Sequence, residues 1–228
     1  TTSELKDSRD FNRNEVRTIA AISLTTLDAT VAAITLTAPL TYKHFGGREY
    51  QSEVALLTRN IIIQGDETNS EPTDTTSAVC TAGGSTFPCN NKYLTGFGGH
   101  VQVAGANAQG RFTGVQLYRM GQTNVLGRYP LHFHLMGDAA NTRAWARACS
   151  VTRSYFRAYA IHGTNRALLD SNTAYDVIGH AFFASEDGVE EESTLQYNFG
   201  AHVHWLGSAQ DFTASGWWGQ TLPWYTSS

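Results

Sequence analysis

Three short segments between residues 159 and 205 decide the predicted fold: YAIHG (159–163), HAFFA (180–184) and AHVHW (201–205). Their central apolar residues are Ile161, Phe182 and Val203, and each stands 21 positions after the one before it. A fixed period of this size is typical of solenoids, in which each repeat forms one coil. The repeat therefore predicts a stack of coils of about 20 residues.

A second series of segments, 149–154, 167–172 and 193–198, places an apolar centre before a small polar residue or an asparagine. Two strands per coil with such a bend predict an all-β chain folded as a right-handed parallel β-helix, a solenoid of the pectin-lyase type. Asparagines at the bends would hydrogen-bond their neighbours in the stack. An antiparallel sandwich is the alternative, and a short helix over residues 141–148 stays open.

Composition excludes several functions. The 228 residues carry a net charge of -4 and are only 16% charged, whereas a nucleic-acid binder concentrates Lys and Arg on one face. No stretch reaches the roughly 18 to 20 consecutive apolar residues that a membrane span needs. We therefore expect no nucleic-acid partner and no membrane span in this chain.

Residues before the repeats predict strands and one insertion. Period-two alternation over Val16–Leu24, Val31–Tyr42 and Val54–Ile63 is typical of half-buried strands. Residues 67–91 are rich in Thr, Ser, Asn, Gly and Pro and predict a surface insertion loop. We expect the whole chain, 1–228, to be a single β-helix module of a larger extracellular protein.

Two cysteines lie within the predicted insertion. Cys80 and Cys89 bracket a polar, glycine-containing loop, where a loop-closing disulfide fits an oxidising environment. Two free thiols in a reducing compartment are the alternative. Cys149 stands in an apolar alternation and is predicted to be a small buried residue.

Histidines supply the main candidates for chemistry, since six of the eight fall in the repeat region: His132, His134, His162, His180, His202 and His204. If Phe133, Ile161, Phe182 and Val203 point inward, strand alternation turns most of these imidazoles outward. The 21-residue register would stack His162 with Phe183 and His204. The pattern predicts one histidine stripe along an outer face.

Three functions fit such a stripe. Two imidazoles in a His-x-His strand lie about 7 Å apart at the backbone and can share a metal with a third ligand from the next coil. Alternatively, His132, His134, His162 and His180 act as general acids or bases on a polysaccharide, beside Arg128. Arg59, Tyr129, His202 and His204 would then contact the substrate. In the third interpretation the histidines are structural, and Arg59 and Arg128 pair with Asp66 or Asp138.

An acidic loop, SEDGVEEE (185–192), follows directly after His180. Such a run of carboxylates is usually a solvated loop. This loop nevertheless lies beside the predicted histidine face. Its carboxylates around Gly188 are oxygen ligands that suit Ca²⁺, and Asp187 and Glu190 are the candidate ligands.

Several of these motifs occur together in one known family. In chain order they are EVALLTRNIIIQGD (53–66), GGHV (98–101), MGQ (120–122), LGRYPLHFH (126–134), AIHGT (160–164), GHAFF (179–183) and EDGVE (186–190). They resemble the β-helix region of the fibrocystin-like proteins and of the cell-migration-inducing and transmembrane hyaluronidases, proteins that also carry a G8 domain.

This resemblance implies a parallel β-helix in a large secreted or surface-anchored protein. Some relatives break down hyaluronan with calcium dependence, and others are ciliary or cell-surface proteins without an established activity. The family's motif histidines would be His132, His134, His162 and His180, and its acidic loop would include Asp187 and Glu190.

Two hypotheses follow, and the sequence leaves open whether the chain is an enzyme. In the first, the chain is a non-catalytic module whose surface binds a glycan or neighbouring extracellular domains. Its aromatic end, Trp217 to Tyr225, would then form a contact patch or a cap. In the second, it is a calcium-dependent polysaccharide depolymerase that uses the histidine and carboxylate face.

Overall fold

The structure of the chain, a computed structural model, describes residues 13–25, 28–49, 51–70, 77–82, 85–90, 96–123, 125–184 and 188–204. It divides into two compact units, residues 1–55 and residues 56–228. All parallel coils in the described residues belong to the second unit. A single β-helix module over residues 1–228 stays a prediction. Asp187 and the aromatic end at Trp217 to Tyr225 lie outside the described residues.

The first unit contains an antiparallel pair of strands, β1 (Ile19–Thr25) and β2 (Asp28–Leu36). Both lie largely where sequence alternation predicts strands. The buried carboxylate of Glu15 accepts hydrogen bonds from the backbone amides of Thr41 and Tyr42, at 2.8 and 2.9 Å. This carboxylate therefore ties the segment before β1 to the segment after β2.

The second unit contains three parallel sheets, and each full coil contributes one strand to each of them. The first sheet consists of β6 (Val101–Ala104), β9 (Leu131–Asp138), β12 (Tyr159–Asn165) and β15 (Phe182–Phe183). The second sheet consists of β7 (Gly110–Thr113), β10 (Ala144–Arg147), β13 (Leu168–Asp170) and β16 (Thr194–Gln196). The third sheet consists of β3 (Ile61–Gln64), β8 (Val115–Tyr118), β11 (Ser150–Ser154), β14 (Thr173–Ile178) and β17 (Phe199–His204). The predicted all-β parallel β-helix is confirmed.

Coils of this helix are longer than predicted. His134 pairs with His162, 28 residues later, and Asn172 contacts Asn198, 26 residues later. The coil is longer than 21 residues because it contains three strands and three bends instead of two.

The 21-residue register is therefore wrong. Phe182 pairs with Tyr159 in the first sheet, whereas Val203 pairs with Val177 in the third. The segments HAFFA and AHVHW are similar in sequence, but they lie in different sheets. Consequently the predicted column of His162, Phe183 and His204 does not form.

Corners between the second and third sheets follow a local rule. The corner residues Ala148, Ser171 and Tyr197 have φ values of 49°, 56° and 53°, in the left-handed region. Asn172 and Asn198 follow two of them and are buried, and the Asn172 amide group donates to Asn198 Oδ1 at 3.1 Å. The predicted stacking of corner asparagines is thus confirmed, because each side chain satisfies backbone groups that the bend leaves open.

Strand alternation places the apolar side chains inside the coils as predicted. Phe133 and Ile161 are fully buried in the main core, and Phe182 and Val203 pack against it partly buried. Cys149 is also buried. Residues 141–148 contain β10 in place of a helix, because Ala144 and Ala146 face this core and Arg147 points outward over the Trp145 ring.

The predicted insertion contains an antiparallel hairpin, β4 (Ser77–Ala82) and β5 (Ser85–Asn90). The adjacent glycines at positions 83 and 84 are a hairpin-turn signal, whereas the composition of residues 67–91 predicted only a surface loop. The backbone pairs Cys80 with Phe87 and Cys89 with Ala78, so the two cysteines are diagonal neighbours. The disulfide between them stays a prediction.

Candidate metal centre

Two neighbouring strands of the first sheet bring three histidines together. The side chains of Leu131 and Phe133 in β9 belong to the core, so strand alternation places His132 and His134 on the outer face of the sheet. In β12 the core takes Ile161, and the parallel register sets His162 directly beside His134. These three residues, His132, His134 and His162, are named the histidine cluster below.

Geometry of the histidine cluster suits a shared ligand. One ring nitrogen from each imidazole lies within 4.8 Å of one from each of the others. The Nδ1 atoms of His134 and His162 are 2.9 Å apart, and the His132 ring stacks over the His162 ring with centroids 6.2 Å apart. Three imidazoles at such separations need only small side-chain rotations to converge on one ion at about 2.1 Å.

His132 is the buried member of the cluster, with 1% of its surface exposed. Burial lowers its pKa to about 4, against the opposing effect of a hydrogen bond to Gly127, and the neighbouring imidazoles lower it further. Its Nδ1 lies 3.1 Å from the Gly127 carbonyl oxygen, which can only accept, so Nδ1 carries the proton. The neutral ring then has its lone pair on Nε2, as a metal ligand requires.

Support for His132 comes from a buried cation–aromatic cluster beneath it. The Tyr129 ring packs against His132 with centroids 4.8 Å apart, and its hydroxyl accepts a hydrogen bond from Arg157 Nη1 at 2.8 Å. Arg157 is fully buried, with its guanidinium 3.8 Å from the Phe183 ring centroid. Tyr129, a predicted substrate contact, is itself fully buried and packs against the His132 ring.

The segment that covers His132 also carries Arg128. Its Nη1 lies 2.7 Å from Nε2 of His100, and burial together with this cation lowers the His100 pKa. Arg128 thus places a positive charge one residue from Gly127, the acceptor for His132. His100 was not among the predicted site residues, although the GGHV motif contains it.

Arg59 lies elsewhere. Arg59 precedes β3 in the chain, and its guanidinium donates to the carbonyl oxygens of Ala148 and Leu56, at 2.6 and 2.8 Å. Neither arginine makes the ion pair that the structural interpretation predicted. Asp66 instead accepts from the backbone amides of its own turn, and Asp138 pairs with Arg166.

The acidic loop reaches the edge of the histidine cluster. Glu190 Oε1 accepts a hydrogen bond from the backbone amide of Gly163 at 2.8 Å, one residue after His162. Calcium takes six to eight oxygen ligands, whereas the described side chains here offer three imidazole nitrogens and this one carboxylate. Calcium binding by Asp187 and Glu190 therefore stays a prediction, and the histidine cluster itself suits a transition metal.

The other repeat-region histidines do not join this cluster. His180 packs on the Phe183 ring, with centroids 4.9 Å apart. His202 and His204 belong to β17 in the third sheet and lie beside Asp176 of β14. The single stripe predicted from His132 to His204 is wrong, since its members divide between two sheets. Asp176 was missed because only the observed register brings it next to the histidines.

Fold and site together define a parallel β-helix protein with a histidine cluster on the outer face of one sheet. The chain belongs to the CEMIP beta-helix family, whose model matches residues 96–216. The resemblance to the fibrocystin-like and hyaluronidase group that its motifs indicated is confirmed at this level.

Relatives extend the match over most of the chain. A G8 domain-containing protein of Dictyostelium discoideum is 45% identical over 207 residues, which cover 91% of this chain and 12% of the relative. Mouse and human fibrocystin-L are each 36% identical over 230 residues, covering 90% of this chain and 5% of the relative. The chain thus corresponds to a small part of much longer proteins.

Within the described residues, no helix has the length and apolar character needed to cross a membrane.

Proposed function

We propose that the chain is a ligand-binding module of an extracellular or cell-surface protein, and that its histidine cluster holds a divalent transition metal at the centre of the binding face. The convergence of three ring nitrogens within 4.8 Å carries this proposal. The extracellular assignment is supported by the similarity to fibrocystin-L and by the cysteine pair of the β4–β5 hairpin.

The donor set indicates the class of metal. Neutral imidazoles favour Zn²⁺, Cu²⁺ and Ni²⁺ over Ca²⁺ and Mg²⁺. His132 meets two further requirements, because burial keeps it uncharged near neutral pH and the Gly127 carbonyl oxygen fixes its ring. Three protein ligands leave a fourth coordination position for an external group.

A cation close in sequence to the histidine cluster indicates the class of ligand. Arg128 follows Gly127, whose carbonyl oxygen accepts from His132, and its guanidinium contacts His100. A guanidinium binds carboxylates in a bidentate manner. A carboxylate bridging a metal ion and Arg128 is the interaction expected of an acidic polysaccharide. We therefore propose a hyaluronan-like glycan, with one carboxylate in each disaccharide, as the ligand.

Calorimetry with hyaluronan oligosaccharides tests this proposal. The Zn²⁺-loaded chain should bind the acidic oligosaccharide at least 10-fold more tightly than the chelator-treated chain, and it should not bind a neutral dextran. His134→Ala with His162→Ala should remove the metal-dependent part of the affinity. Equal hyaluronan affinity with and without metal contradicts the proposal.

Arginine variants give a matched comparison. Arg128→Ala should weaken hyaluronan binding about 10-fold, equivalent to ~1.4 kcal/mol, and leave Zn²⁺ binding intact. Arg111→Ala serves as the control, because Arg111 is exposed on the second sheet and donates to the Thr142 carbonyl oxygen. Equal losses in the two variants would assign Arg128 a general electrostatic role and remove it from the site.

A depolymerase is the second candidate, and the open coordination position of a three-histidine site favours it, since hydrolytic zinc centres share this feature. The discriminating measurement is the chain length of hyaluronan after incubation with the Zn²⁺-loaded chain. If the hyaluronan chains become shorter, and His134→Ala abolishes this effect, the result supports catalysis. Unchanged length in the presence of tight binding leaves the binding function and excludes the enzyme.

A further inference from the structure

A second group of metal-ligating side chains lies on the third sheet. β14 and β17 pair so that Tyr175 faces Ala201 and Val177 faces Val203. Asp176 and the residue opposite it, His202, therefore stand at the same level of adjacent coils. Both have left-handed backbones, with φ values of 56° and 55°.

Side-chain geometry completes the group. One ligand atom each from Asp176, His202 and His204 lies within 4.8 Å of the others. His204 Nε2 is 2.5 Å from Asp176 Oδ1, and the rings of His202 and His204 meet edge to face with centroids 4.3 Å apart. Tyr175 stacks on His202 at 5.5 Å and restrains the orientation of that ring.

The left-handed position recurs in four successive coils of the third sheet, from β8 to β17, so the backbone alone does not mark a site. In the two preceding coils Arg119 and Arg153 occupy it, with φ values of 53° and 52°. Both guanidinium groups lie over the Tyr118 ring, and Arg119 also pairs with Glu67. The same geometry therefore presents arginines in two coils, and a carboxylate with imidazoles in the next two.

We infer that Asp176, His202 and His204 form a second binding site for a divalent transition metal, separate from the histidine cluster. Two imidazoles and one carboxylate are a recurrent ligand set for first-row transition metals. Access is also suitable, since the side chains of His204 and Asp176 are 17% and 19% exposed. A purely structural Asp–His pair would not need the additional imidazole of His202 at ligand distance.

Equilibrium dialysis with Zn²⁺ in the presence of excess Ca²⁺ tests this inference. The 228-residue chain should bind two Zn²⁺ ions. Asp176→Asn with His204→Ala should bind one, and His134→Ala with His162→Ala should also bind one. His180→Ala is the control, because His180 is a histidine outside both groups, and it should retain two.

The outcomes separate this inference from the proposed function. If the unmodified chain binds one Zn²⁺ ion, and only the His134→Ala, His162→Ala variant loses it, the second site is overturned and the first remains. If the unmodified chain binds one ion, and only the Asp176→Asn, His204→Ala variant loses it, the second site is supported and metal binding at the histidine cluster is overturned. Retention of two ions by the Asp176→Asn, His204→Ala variant overturns the inference directly.

A further measurement guards against misfolding of the double variant. Asp176→Asn alone preserves side-chain size and an acceptor oxygen, and it should retain the far-UV circular dichroism of the unmodified chain. Its Co²⁺ complex should lose the visible absorption that arises from the second site. An unchanged Co²⁺ spectrum in a folded Asp176→Asn variant contradicts the assignment of Asp176 as a ligand.

Discussion

At the scale of single residues, the position of His132 depends on a cation that has no exposure to solvent. Arg157 lies among the rings of Tyr129, Phe156 and Phe183 and donates to the Tyr129 hydroxyl. Cation–π contacts gain strength on desolvation. The arginine is thus part of the core that holds the candidate metal centre.

Truncation of this arginine should be costly. Arg157→Ala leaves a cavity and an unsatisfied Tyr129 hydroxyl, so we expect the free energy of unfolding to fall by about 3 kcal/mol in urea titrations. Arg147→Ala removes an exposed guanidinium that also lies over a ring, Trp145, and should change stability by less than about 1 kcal/mol. Similar losses in both variants would contradict the role given to Arg157.

A second residue makes the first unit sensitive to acid. Burial alone would raise the pKa of Glu15, but hydrogen bonds from Thr41, His44 and Tyr42 outweigh burial and lower it to about 2 from 4.5. A depressed carboxyl pKa stabilises the fold above pH 4.5, and this contribution is lost as the pH falls towards 2. The unfolding free energy of the unmodified chain should therefore decrease more steeply between pH 4.5 and 2 than that of Glu15→Gln. Parallel pH profiles would refute this assignment.

At the scale of elements, the corner asparagines join successive coils. Asn172 accepts from the Cys149 amide and donates to the Ala146 carbonyl oxygen and to Asn198 Oδ1, while its own backbone amide donates to the same Oδ1. Asn172→Ala should lower the unfolding free energy by about 3 kcal/mol, because several buried groups lose partners together. Asn107→Ala, at an exposed position, should be nearly neutral. An equally small effect of Asn172→Ala would show that the hydrogen bonds of the corner asparagines contribute little to the free energy of unfolding.

Gly163 has a left-handed backbone beside the histidine cluster. Its φ is +54°, and a Cβ atom there would come within 2.6 Å of Leu135 Cδ2. Gly137 offers a matched control, since its φ is +62° but nothing lies within 4 Å of its Cβ position. Both Ala variants incur the left-handed backbone cost of about 1–2 kcal/mol. Gly163→Ala places this strain one residue from His162 and should weaken Zn²⁺ binding at the histidine cluster, whereas Gly137→Ala, three residues from His134, should leave Zn²⁺ affinity unchanged.

Structural features that depend on a local sequence pattern were predictable. Period-two alternation predicted Phe133 and Ile161 inside and the histidines of β9 and β12 outside, as observed. The Asn172 bend was likewise predicted, because an asparagine after a left-handed corner residue has a local physical role. Both results depend on neighbours within a few residues.

At the scale of the whole molecule, the coil period was not predictable from the repeats. Loops of different length separate the strands, so similar segments such as HAFFA and AHVHW fall in different sheets. Neither the pairing of His134 with His162 nor the position of Asp176 opposite His202 follows from a fixed 21-residue period. Long-range register depends on how three sheets close around one core, which no local pattern encodes.

The architecture also explains why two candidate sites coexist on one chain. A solenoid exposes the outer face of each sheet along its length, so separate faces can carry separate functions. The first sheet presents the histidine cluster, and the third presents Asp176 with His202 and His204. Neither group belongs to the apolar core, whose inward residues include Phe133 and Ile161.

Anomalous diffraction at the zinc edge would show whether the histidine cluster binds a metal ion. Crystals of the chain grown with Zn²⁺ should show an anomalous peak about 2.1 Å from ring nitrogens of His132, His134 and His162. A map that resolves these three rings and shows no anomalous peak between them would contradict metal binding at the histidine cluster.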